Sequence, residues 1–294
     1  MSFRPDKKLA LTGLDFSKKT PEEIQNLFRN VLNNGMHGLC YSAYVEGQKP
    51  GDVLSEDQIR RRMAIIAPYT KWIRSFSCIE GNELIPKVAH EFGLKTLVGA
   101  WLGDDKEKNE EEIAGLIQLA KDGLVDIAAV GNEVLYRNDL SQDELLEYIH
   151  RVKKAIPGID VGYVDAYYEF SACPRITEAC DVLLANCYPF WEGCHMDYSL
   201  VYMKQMYNQA VHAGNGKKVI ITETGWPSEG SNCKAASPSK ENAIKYFINA
   251  QQWSEEEDIE IFYFTSFDES WKVGSEGDVG AYWGLWDIDE KLKF

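Results

Sequence analysis

Eight short runs of apolar residues recur along the chain, and segments with helical periodicity separate them. The runs are rich in Val, Ile, Leu, Ala and aromatic residues, which is typical of strands buried on both faces, as in a parallel sheet. Alternation of strands and helices favours parallel pairing through right-handed crossovers. Units repeated about every 30 residues predict one closed (β/α)8 barrel, a TIM barrel in the α/β class, rather than an open sheet. The predicted strands cover residues 37–44, 71–77, 95–102, 125–134, 160–166, 181–188, 217–222 and 259–267.

The predicted helices have recognisable ends. Ser55 with Gln58, and Ser141 with Glu144, form the pattern of a capping box ahead of an apolar-periodic stretch. Glycines follow three such stretches, at positions where a helix favours a left-handed residue after its last turn. These glycines are Gly93, Gly123 and Gly214.

A further helix is predicted before the first strand. Thr20, Pro21 and Glu23 supply a cap, a first-turn proline and a capping-box partner, and an apolar face follows over residues 24–32. We expect this helix to close the bottom of the barrel. The chain then divides into a lead-in segment, residues 1–36, and the barrel, residues 37–294, because no linker marks a second domain.

The composition excludes several classes of partner. The formal net charge of −15 disfavours nucleic acid and anionic membranes. The sequence contains no apolar stretch of about 18 residues that would predict a membrane span. Residues 1–10 are polar and charged, unlike a signal peptide, so the expected location is either cytoplasmic or that of a trimmed secreted or periplasmic protein. The 5 histidines lack metal-ligand spacing, and we expect no metal, no cofactor and a monomer.

The 7 cysteines are odd in number and include no Cys-x-x-Cys. Cys40, Cys78 and Cys187 fall in predicted strands, where a buried thiol packs as a small apolar group. Cys194 and Cys233 follow the sixth and seventh strands and are the one pair for which a disulfide is considered. We expect reduced thiols elsewhere and leave this pair open.

Two predicted strands deliver a glutamate at their carboxyl ends. The fourth runs through Ala-Ala-Val-Gly-Asn to Glu133, and the seventh runs through Val-Ile-Ile-Thr to Glu223. Barrel enzymes build their active sites at this face. A charged residue after several apolar ones is costly unless it is paired or functional. One such glutamate is equally well explained as a helix cap or a structural ion pair, but two on different strands favour a paired-carboxylate site.

Two carboxyl groups across a pocket match the needs of glycoside hydrolysis. One must be protonated to assist the departing oxygen, and the other must be ionised to attack the anomeric carbon. A separation of about 5–5.5 Å indicates retention of configuration, because the second carboxylate then acts as the nucleophile. An ionised neighbour would also raise the pKa of the acid towards neutrality.

The motifs around both glutamates resemble glycoside hydrolase family 17, which contains β-1,3-glucanases, β-1,3-1,4-glucanases and β-1,3-glucan glucanosyltransferases. Residues 222–228 read Thr-Glu-Thr-Gly-Trp-Pro-Ser, and Asn132-Glu133 follows the pattern of clan A retaining glycosidases. The resemblance extends from residue 37 to the end of the chain and is closer to microbial than to plant members. It implies that Glu133 is the general acid/base and Glu223 the nucleophile.

The same resemblance implies roles for residues beside the nucleophile. Asn132 is expected to hydrogen-bond the 2-hydroxyl of the sugar in subsite −1. Arg74 and Tyr188 are expected to contact Glu223 and keep it ionised and oriented. The alternatives are that Arg74 is only a buried charge partner and that Tyr188 only packs in the core.

Further residues are expected to line the substrate site. Tyr41 and Lys272 are assigned to subsite −1, and Glu269 is expected to hold Lys272 in place. Aromatic side chains at strand ends are natural platforms for the C–H faces of sugars, although about half of them would only pack loops onto the barrel. Two of the candidates, Trp191 and Trp271, are assigned to subsites +1 and +2. The aromatic candidates for substrate binding are Trp191, Trp226 and Trp271.

The sequence therefore predicts a retaining enzyme that acts on β-1,3-glucan or laminari-oligosaccharides. Hydrolases and glucanosyltransferases share these glutamates and differ in whether water or a sugar hydroxyl resolves the intermediate. A non-catalytic carbohydrate-binding barrel would lack one carboxylate, and a phosphate-binding barrel would have a glycine-rich site after strands seven and eight. Loops 44–52 and 272–280 are expected to wall off the groove beyond subsite −1 or −2, and the alternative is that both are surface loops.

Overall fold

Eight parallel strands form a closed barrel in sequential order, with the last strand paired to the first. The computed structural model describes residues 13–294, with the side chain of Ser275 excepted. The (β/α)8 barrel predicted from the alternating pattern is confirmed. The strands are β1 Met36–Cys40, β2 Thr70–Ser75, β3 Lys95–Ala100, β4 Ile127–Asn132, β5 Asp160–Ala166, β6 Val182–Asn186, β7 Lys218–Thr224 and β8 Ile261–Tyr263.

Helices surround the barrel and connect its strands. Short 3-10 turns occur at residues Ala67–Tyr69, Met196–Tyr198, Ser270–Lys272 and Gly277–Tyr282. The helices are α1 Pro21–Asn33, α2 Glu56–Ile66, α3 Leu84–Glu91, α4 Lys106–Lys121, α5 Gln142–Ala155, α6 Glu169–Ala172, α7 Pro174–Ala179, α8 Ser199–Gly214, α9 Lys240–Glu257 and α10 Val273–Glu276.

The barrel closes where β1 meets both β2 and β8. Gly38 is in register with Trp72 on one side and Phe262 on the other. A Cβ atom at position 38 would lie 2.5 Å from a ring carbon of Phe262, so only glycine fits there. The interior consists of buried Val, Ile, Leu and aromatic side chains from successive strands, as in other packed barrel cores.

Several strands end earlier than the apolar runs suggested. β1 ends at Cys40, although the run continues to Tyr44. The following segment stays buried without strand pairing because side chains of α2 satisfy its carbonyl groups: Gln58 Nε2 donates to the Ala43 carbonyl at 2.5 Å, and Arg62 Nη1 donates to the Tyr44 carbonyl at 2.6 Å. An apolar run therefore does not distinguish a strand from a buried loop held by side chains.

Most of the predicted helix ends are confirmed. Complete capping boxes begin α1 at Thr20 and α5 at Ser141. Ser55 caps α2, but the Gln58 side chain is engaged elsewhere, so the expected reciprocal bond is absent. Gly93 and Gly123 have positive φ as expected, whereas Gly214 remains helical and Asn215, with φ of 46°, takes the left-handed position.

Helix α1 lies on the outside of the barrel, against the middle of α9. The Phe28 ring packs on Phe247 of α9 with centroids 5.0 Å apart, and the Leu14 amide donates to Asn249 Oδ1 at 3.0 Å. The expectation that this helix closes the bottom of the barrel is therefore wrong. The helix after β8 is a single turn, so the apolar face of α1 supplies cover that a longer eighth helix would provide.

All 7 cysteines lie within the described residues and are free thiols. Cys233 Sγ contacts the Trp191 carbonyl at 3.6 Å, and Cys194 Sγ contacts the His195 carbonyl at 3.4 Å, so the pair considered for a disulfide is not joined. None of the helices within residues 13–294 combines the length and apolarity needed to cross a membrane. Residues 1–10, on which the expectation about a signal peptide rested, lie outside the described residues.

Candidate active site

A cavity of about 1070 Å³ opens at the carboxyl ends of the strands. Its walls come from the loops after seven of the strands, while β7 contributes Glu223 itself, and both Glu133 and Glu223 line it. This is the face at which barrel enzymes bind their substrates. The size is that of a site for a small ligand or a few sugar units rather than a groove for a macromolecular surface.

Glu223 ends an apolar strand and is held by two donors. Arg74 Nη1 donates to its Oε1 at 2.5 Å, and the Tyr188 hydroxyl donates to its Oε2 at 2.7 Å. Arg74 and Glu223 are both buried. The guanidinium and the phenol therefore fix the orientation of the Glu223 carboxyl group at the end of β7.

Arg74 also connects the nucleophile candidate to β4. Its Nη2 donates to Asn132 Oδ1 at 2.7 Å. With this oxygen engaged, the side-chain NH2 of Asn132 is the group of that amide that remains able to donate a further hydrogen bond. The planar guanidinium thus fixes the relative placement of Glu223 and Asn132.

Glu133 reaches the cavity because β4 is irregular at its end. The register between β4 and β5 shifts between Ala129 and Asn132, and Gly131 and Glu133 have φ of 85° and 51°. In a regular strand two successive side chains point to opposite faces, whereas a bulge re-aims one of them. As a result the neighbours Asn132 and Glu133 both line the cavity.

The two glutamates have different electrostatic surroundings. Burial, followed by the charge of Glu223, raises the pKa of Glu133 to about 7. Asn186 Nδ2 donates to Glu133 Oε1 at 2.8 Å, which acts in the opposite direction but does not outweigh burial. One carboxyl therefore has a raised pKa and can donate a proton near neutral pH, and it lies beside another that two donors hold in place, as acid-assisted displacement requires.

Lys272 and its acidic neighbours form the wall after β8. Lys272 Nζ pairs with Glu269 Oε2 at 2.8 Å and lies 4.1 Å from the centre of the Phe264 ring. Burial lowers the pKa of Lys272, but the charges of Glu269 and Glu276 outweigh it and the net shift is upward. Trp271 is half-buried beside them and lines the same cavity, so these predicted residues are brought together.

Two predicted site residues are placed differently. Trp226 is only 1% exposed, and its Nε1 donates to the Ser237 carbonyl at 3.0 Å. It packs on Phe190 and Tyr246 and does not line the cavity, which corrects the expectation that it binds substrate. Tyr41 lies at the cavity wall, but it is buried and its hydroxyl donates to the Ile59 carbonyl at 2.8 Å, so that hydroxyl is directed to α2 rather than to a ligand.

Trp191 is the predicted platform with the most open ring. It is 39% exposed, lines the cavity, and rests on Phe190 and Trp283 with ring centroids 5.2 and 5.5 Å away. A ring supported on one side and open on the other is suited to stacking against a sugar.

Several residues of the site were not singled out from the sequence. Asn186 links the acid to β7, since its Oδ1 accepts from Thr222 Oγ1 at 3.0 Å. Glu112 lines the cavity from α4, where it accepts from Ser77 Oγ at 2.5 Å and from the Cys78 amide at 2.7 Å, and burial raises its pKa to about 7. The position of Asn186 at the end of the sixth apolar run could have indicated a site residue. Glu112 lies in a charged helical stretch, where no pattern distinguishes it from surface glutamates.

Residues 38–284 match the family model of the BtgE/BtgC glycoside hydrolase domain. The chain belongs to this family. A glucan 1,3-beta-glucosidase of Schizosaccharomyces pombe is 30% identical over 92% of this chain and 89% of that protein. A glucan 1,3-beta-glucosidase of Saccharomyces cerevisiae is 28% identical over 100% of this chain and 98% of that protein.

Solved structures agree with this assignment. The glycoside hydrolase family 17 β-1,3-glucanosyltransferase of Rhizomucor miehei superposes with a TM-score of 0.79 at 29% identity, covering 89% of this glycoside hydrolase and 96% of that chain. An active-site mutant of the same enzyme has been solved in complex with laminaritriose. The resemblance to family 17 found in the sequence is thereby confirmed.

Within residues 13–294 no group of three or more His, Cys, Asp or Glu side chains is arranged to hold a metal ion.

Proposed function

We propose that this glycoside hydrolase cleaves β-1,3-glucosidic bonds in β-glucan or laminari-oligosaccharides by double displacement, with retention of configuration. The substrate class is supported by the names of the two yeast relatives and by the laminaritriose complex of the Rhizomucor miehei enzyme. The contrast between the two glutamates is the observation that carries the proposal: Glu223 is held by Arg74 and Tyr188, whereas Glu133 is desolvated.

In the first step a carboxylate oxygen of Glu223 attacks the anomeric carbon of the sugar in subsite −1. The bond from that carbon to the glycosidic oxygen breaks, and the Glu133 carboxyl gives its proton to the departing oxygen. The products are a glycosyl ester on Glu223, a released sugar with a new hydroxyl group, and an ionised Glu133. Negative charge leaves Glu223 as the ester forms, so the coupling between the two glutamates weakens and Glu133 becomes a stronger acid during the step.

In the second step Glu133 acts as a general base. It removes a proton from an incoming water, whose oxygen attacks the anomeric carbon and displaces Glu223 as a carboxylate. Arg74 and Tyr188 are already in place to hold the carboxylate that re-forms. Asn132 would donate to the 2-hydroxyl throughout, and such bonds strengthen as the anomeric carbon gains positive charge.

A glucanosyltransferase reaction is the second candidate, and the exposed Trp191 favours it. The intermediate is the same, but a sugar hydroxyl replaces water as the attacking group. Transfer competes with hydrolysis when an acceptor binds on the leaving-group side before water reaches the ester. Trp191 offers such an acceptor a supported ring surface at the cavity wall.

The test is chemical rescue with azide. Glu223→Ala and Glu133→Ala should each lose laminari-oligosaccharide cleavage by several orders of magnitude. With an activated aryl β-glucoside or β-laminaribioside, azide should restore turnover in both variants. The Glu223→Ala product should be the α-glycosyl azide, because azide replaces the nucleophile directly. The Glu133→Ala product should be the β-glycosyl azide, because azide attacks the intermediate. The same anomer from both variants would contradict the assignment.

Transfer and hydrolysis are separated by product analysis. Products longer than a laminari-oligosaccharide substrate indicate transfer, whereas shorter products and glucose alone indicate hydrolysis. A wild-type enzyme that leaves β-1,3-glucan and its oligomers intact while cleaving another β-glycoside would refute the substrate class.

A further inference from the structure

Glu133, the acid/base candidate, begins a turn after β4 whose backbone conformation is unusual. Gly131 and Glu133 both have positive φ, and for a glutamate this costs free energy that its surroundings must offset. The Glu133 amide donates to the Val164 carbonyl of β5 at 2.8 Å, so the turn is fastened to β5 at its first residue. The placement of the Glu133 carboxyl thus depends on what holds residues 133–136 against β5.

Two buried side chains of β5 hold the rest of this turn. The Leu135 amide donates to the Tyr163 hydroxyl at 2.9 Å, and that hydroxyl donates to Asp165 Oδ2. The Tyr136 amide also points to Asp165 Oδ2, at 3.4 Å. Asp165 is 0% exposed and Tyr163 is buried as well, so these bonds are not exchanged with water.

Arg137 holds the opposite side of the turn. Its Nη1 donates to the Asn132 carbonyl at 2.5 Å, its Nη2 donates to the Leu102 carbonyl at 3.0 Å, and its Nε donates to Asp139 at 2.7 Å. Hydrogen bonds therefore hold the turn from two sides, from the loop after β3 and from strand β5. Only the β5 side brings a buried negative charge towards Glu133.

We propose that Tyr163 and Asp165 are positioning residues for the general acid: Tyr163 fixes the turn that carries Glu133, and the Asp165 carboxylate favours the protonated form of Glu133. This inference rests on the proposed role of Glu133. Neither side chain lines the cavity, so both act through Glu133 and not on the substrate.

The charges that face Glu133 come from three strands. Glu223 on β7 and Asp165 on β5 disfavour its ionisation, whereas Arg74 on β2 favours it; Asn186 on β6 is neutral and donates a hydrogen bond. Burial makes each of these interactions stronger than it would be in water. Asp165 is therefore the one acidic neighbour of Glu133 in this set that can be changed without altering the nucleophile.

The charge state of Asp165 supports this role. Burial raises the pKa of Asp165 to about 6, while its bonds from Tyr163 and from the Ala166 amide, the latter at 2.7 Å, oppose the shift. The carboxyl of Glu169 on α6 is the further acidic group that acts on it. Asp165 is thus ionised above about pH 6, the range in which Glu133 titrates.

The experiment compares Asp165→Asn and Tyr163→Phe in the full chain. Each is assayed for kcat/KM against pH on a laminari-oligosaccharide and on a dinitrophenyl β-glycoside, whose departing group needs no proton. Asp165→Asn removes a charge at constant size. The pH above which kcat/KM on the oligosaccharide falls, the alkaline limb of the profile, should therefore decrease by about 0.5–1 pH unit. Tyr163→Phe leaves the charge, so its limb should not move down, but kcat/KM should fall about tenfold because Glu133 is less well placed.

The activated glycoside separates positioning of the acid from general damage. Both variants should keep near wild-type rates on it, because only the acid is perturbed. Asp181→Asn is the matched control: Asp181 also accepts an amide of β5, that of Val161 at 3.1 Å, but does so at the opposite end of the barrel. It should lower stability without moving the pH limb.

Two results would overturn the inference. One is an alkaline limb that stays at the wild-type pH in Asp165→Asn. The other is a kcat/KM that falls equally on the oligosaccharide and on the activated glycoside in Tyr163→Phe. Failure of the proposed function is distinguishable, because wild-type enzyme would then show no β-1,3-glucan cleavage or Glu133→Gln would retain it. Thermal unfolding of each variant checks that the rates refer to folded protein.

Discussion

Asn186 donates a hydrogen bond from its side-chain nitrogen to Oε1 of Glu133 at 2.8 Å. The other end of the same amide accepts from Thr222, the residue before the nucleophile candidate. The two catalytic strands are thereby joined through β6. A donor of this kind orients the acid but also favours its ionised form, so the protonated state at neutral pH depends on burial and on the charge of Glu223.

A pH dependence follows from these opposing effects. Because Glu133 must be protonated and its pKa is raised to about 7, kcat/KM on laminari-oligosaccharides should fall tenfold per pH unit above about pH 7. The measurement is a pH profile under conditions where the protein stays folded. The residual activity of Glu133→Gln, which cannot ionise, should lack this limb. A limb that persists in that variant would assign it to another group.

Arg62 is a buried cation behind the wall formed by β1. Its side chain is 0% exposed, its Nε donates to Glu290 Oε1 at 3.0 Å, and its guanidinium lies 4.2 Å from the centre of the Phe267 ring. It also donates to the Tyr44 carbonyl, and the Tyr44 ring packs edge-on against Trp271 with centroids 6.2 Å apart. Arg62 therefore supports both the fold and one wall of the site.

We expect Arg62→Met to lower the free energy of unfolding by about 2–4 kcal/mol, because it leaves the buried carbonyl of Tyr44 without its donor. The KM for oligosaccharides should rise through displacement of Tyr44 and Trp271. Arg61 pairs with the same Glu290 at 2.8 Å but is largely exposed, so Arg61→Met should change stability by less than about 1 kcal/mol. Denaturant unfolding and steady-state kinetics of both variants test the contrast; equal effects would contradict it.

The sequence was sufficient for the barrel and for the pair of glutamates, because buried parallel strands and a carboxylate at the end of an apolar run both leave local patterns. The contacts that Asn186, Tyr163 and Asp165 make around Glu133 depend on strand register and on the bulge at the end of β4, which no local pattern specifies. Hydrogen bonds between neighbouring strands became visible only with the fold.

Trp226 is the opposite case, a residue that the sequence predicted to bind substrate but that does not line the cavity. It lies just past the end of the seventh predicted strand, and an aromatic residue in that position suggested contact with substrate. The chain turns away after β7, and the indole enters a buried aromatic cluster with Phe190 and Tyr246. The direction of a loop side chain is decided by packing against elements that are distant in sequence, so the motif did not reveal it.

Trp191 and Trp226 make a matched pair for substitution. Trp191→Ala should leave stability nearly unchanged and raise the KM for oligosaccharides about tenfold, because an exposed platform is lost. If transfer occurs, its ratio to hydrolysis should fall in this variant. Trp226→Ala should instead lower the free energy of unfolding by about 3–5 kcal/mol through a cavity in the core. The reverse outcome, an unstable Trp191→Ala with normal KM, would show that the ring at position 191 only packs a loop.

The segment after β8 contains regular structure and is bonded to a neighbouring loop. Residues 273–282 form a short helix and a 3-10 turn, and Asp278 accepts from Ser231 of the loop after β7 through the amide at 2.9 Å and the hydroxyl at 2.6 Å. Tyr44 joins the loop after β1 to this wall through Trp271. Glu276 and Pro50, one from each of the two loops, line the same cavity.

Because these contacts fix both loops on one side of the cavity, we expect short products rather than random internal cleavage. On a soluble β-1,3-glucan, viscosity should fall slowly relative to the release of reducing ends. Trp271→Ala, which removes the contact with Tyr44, should shift the enzyme towards faster loss of viscosity per end released. A rapid early drop in the wild-type enzyme would mean that chains pass through the cavity along its full length, and the wall would then have no part in selecting the cleavage position.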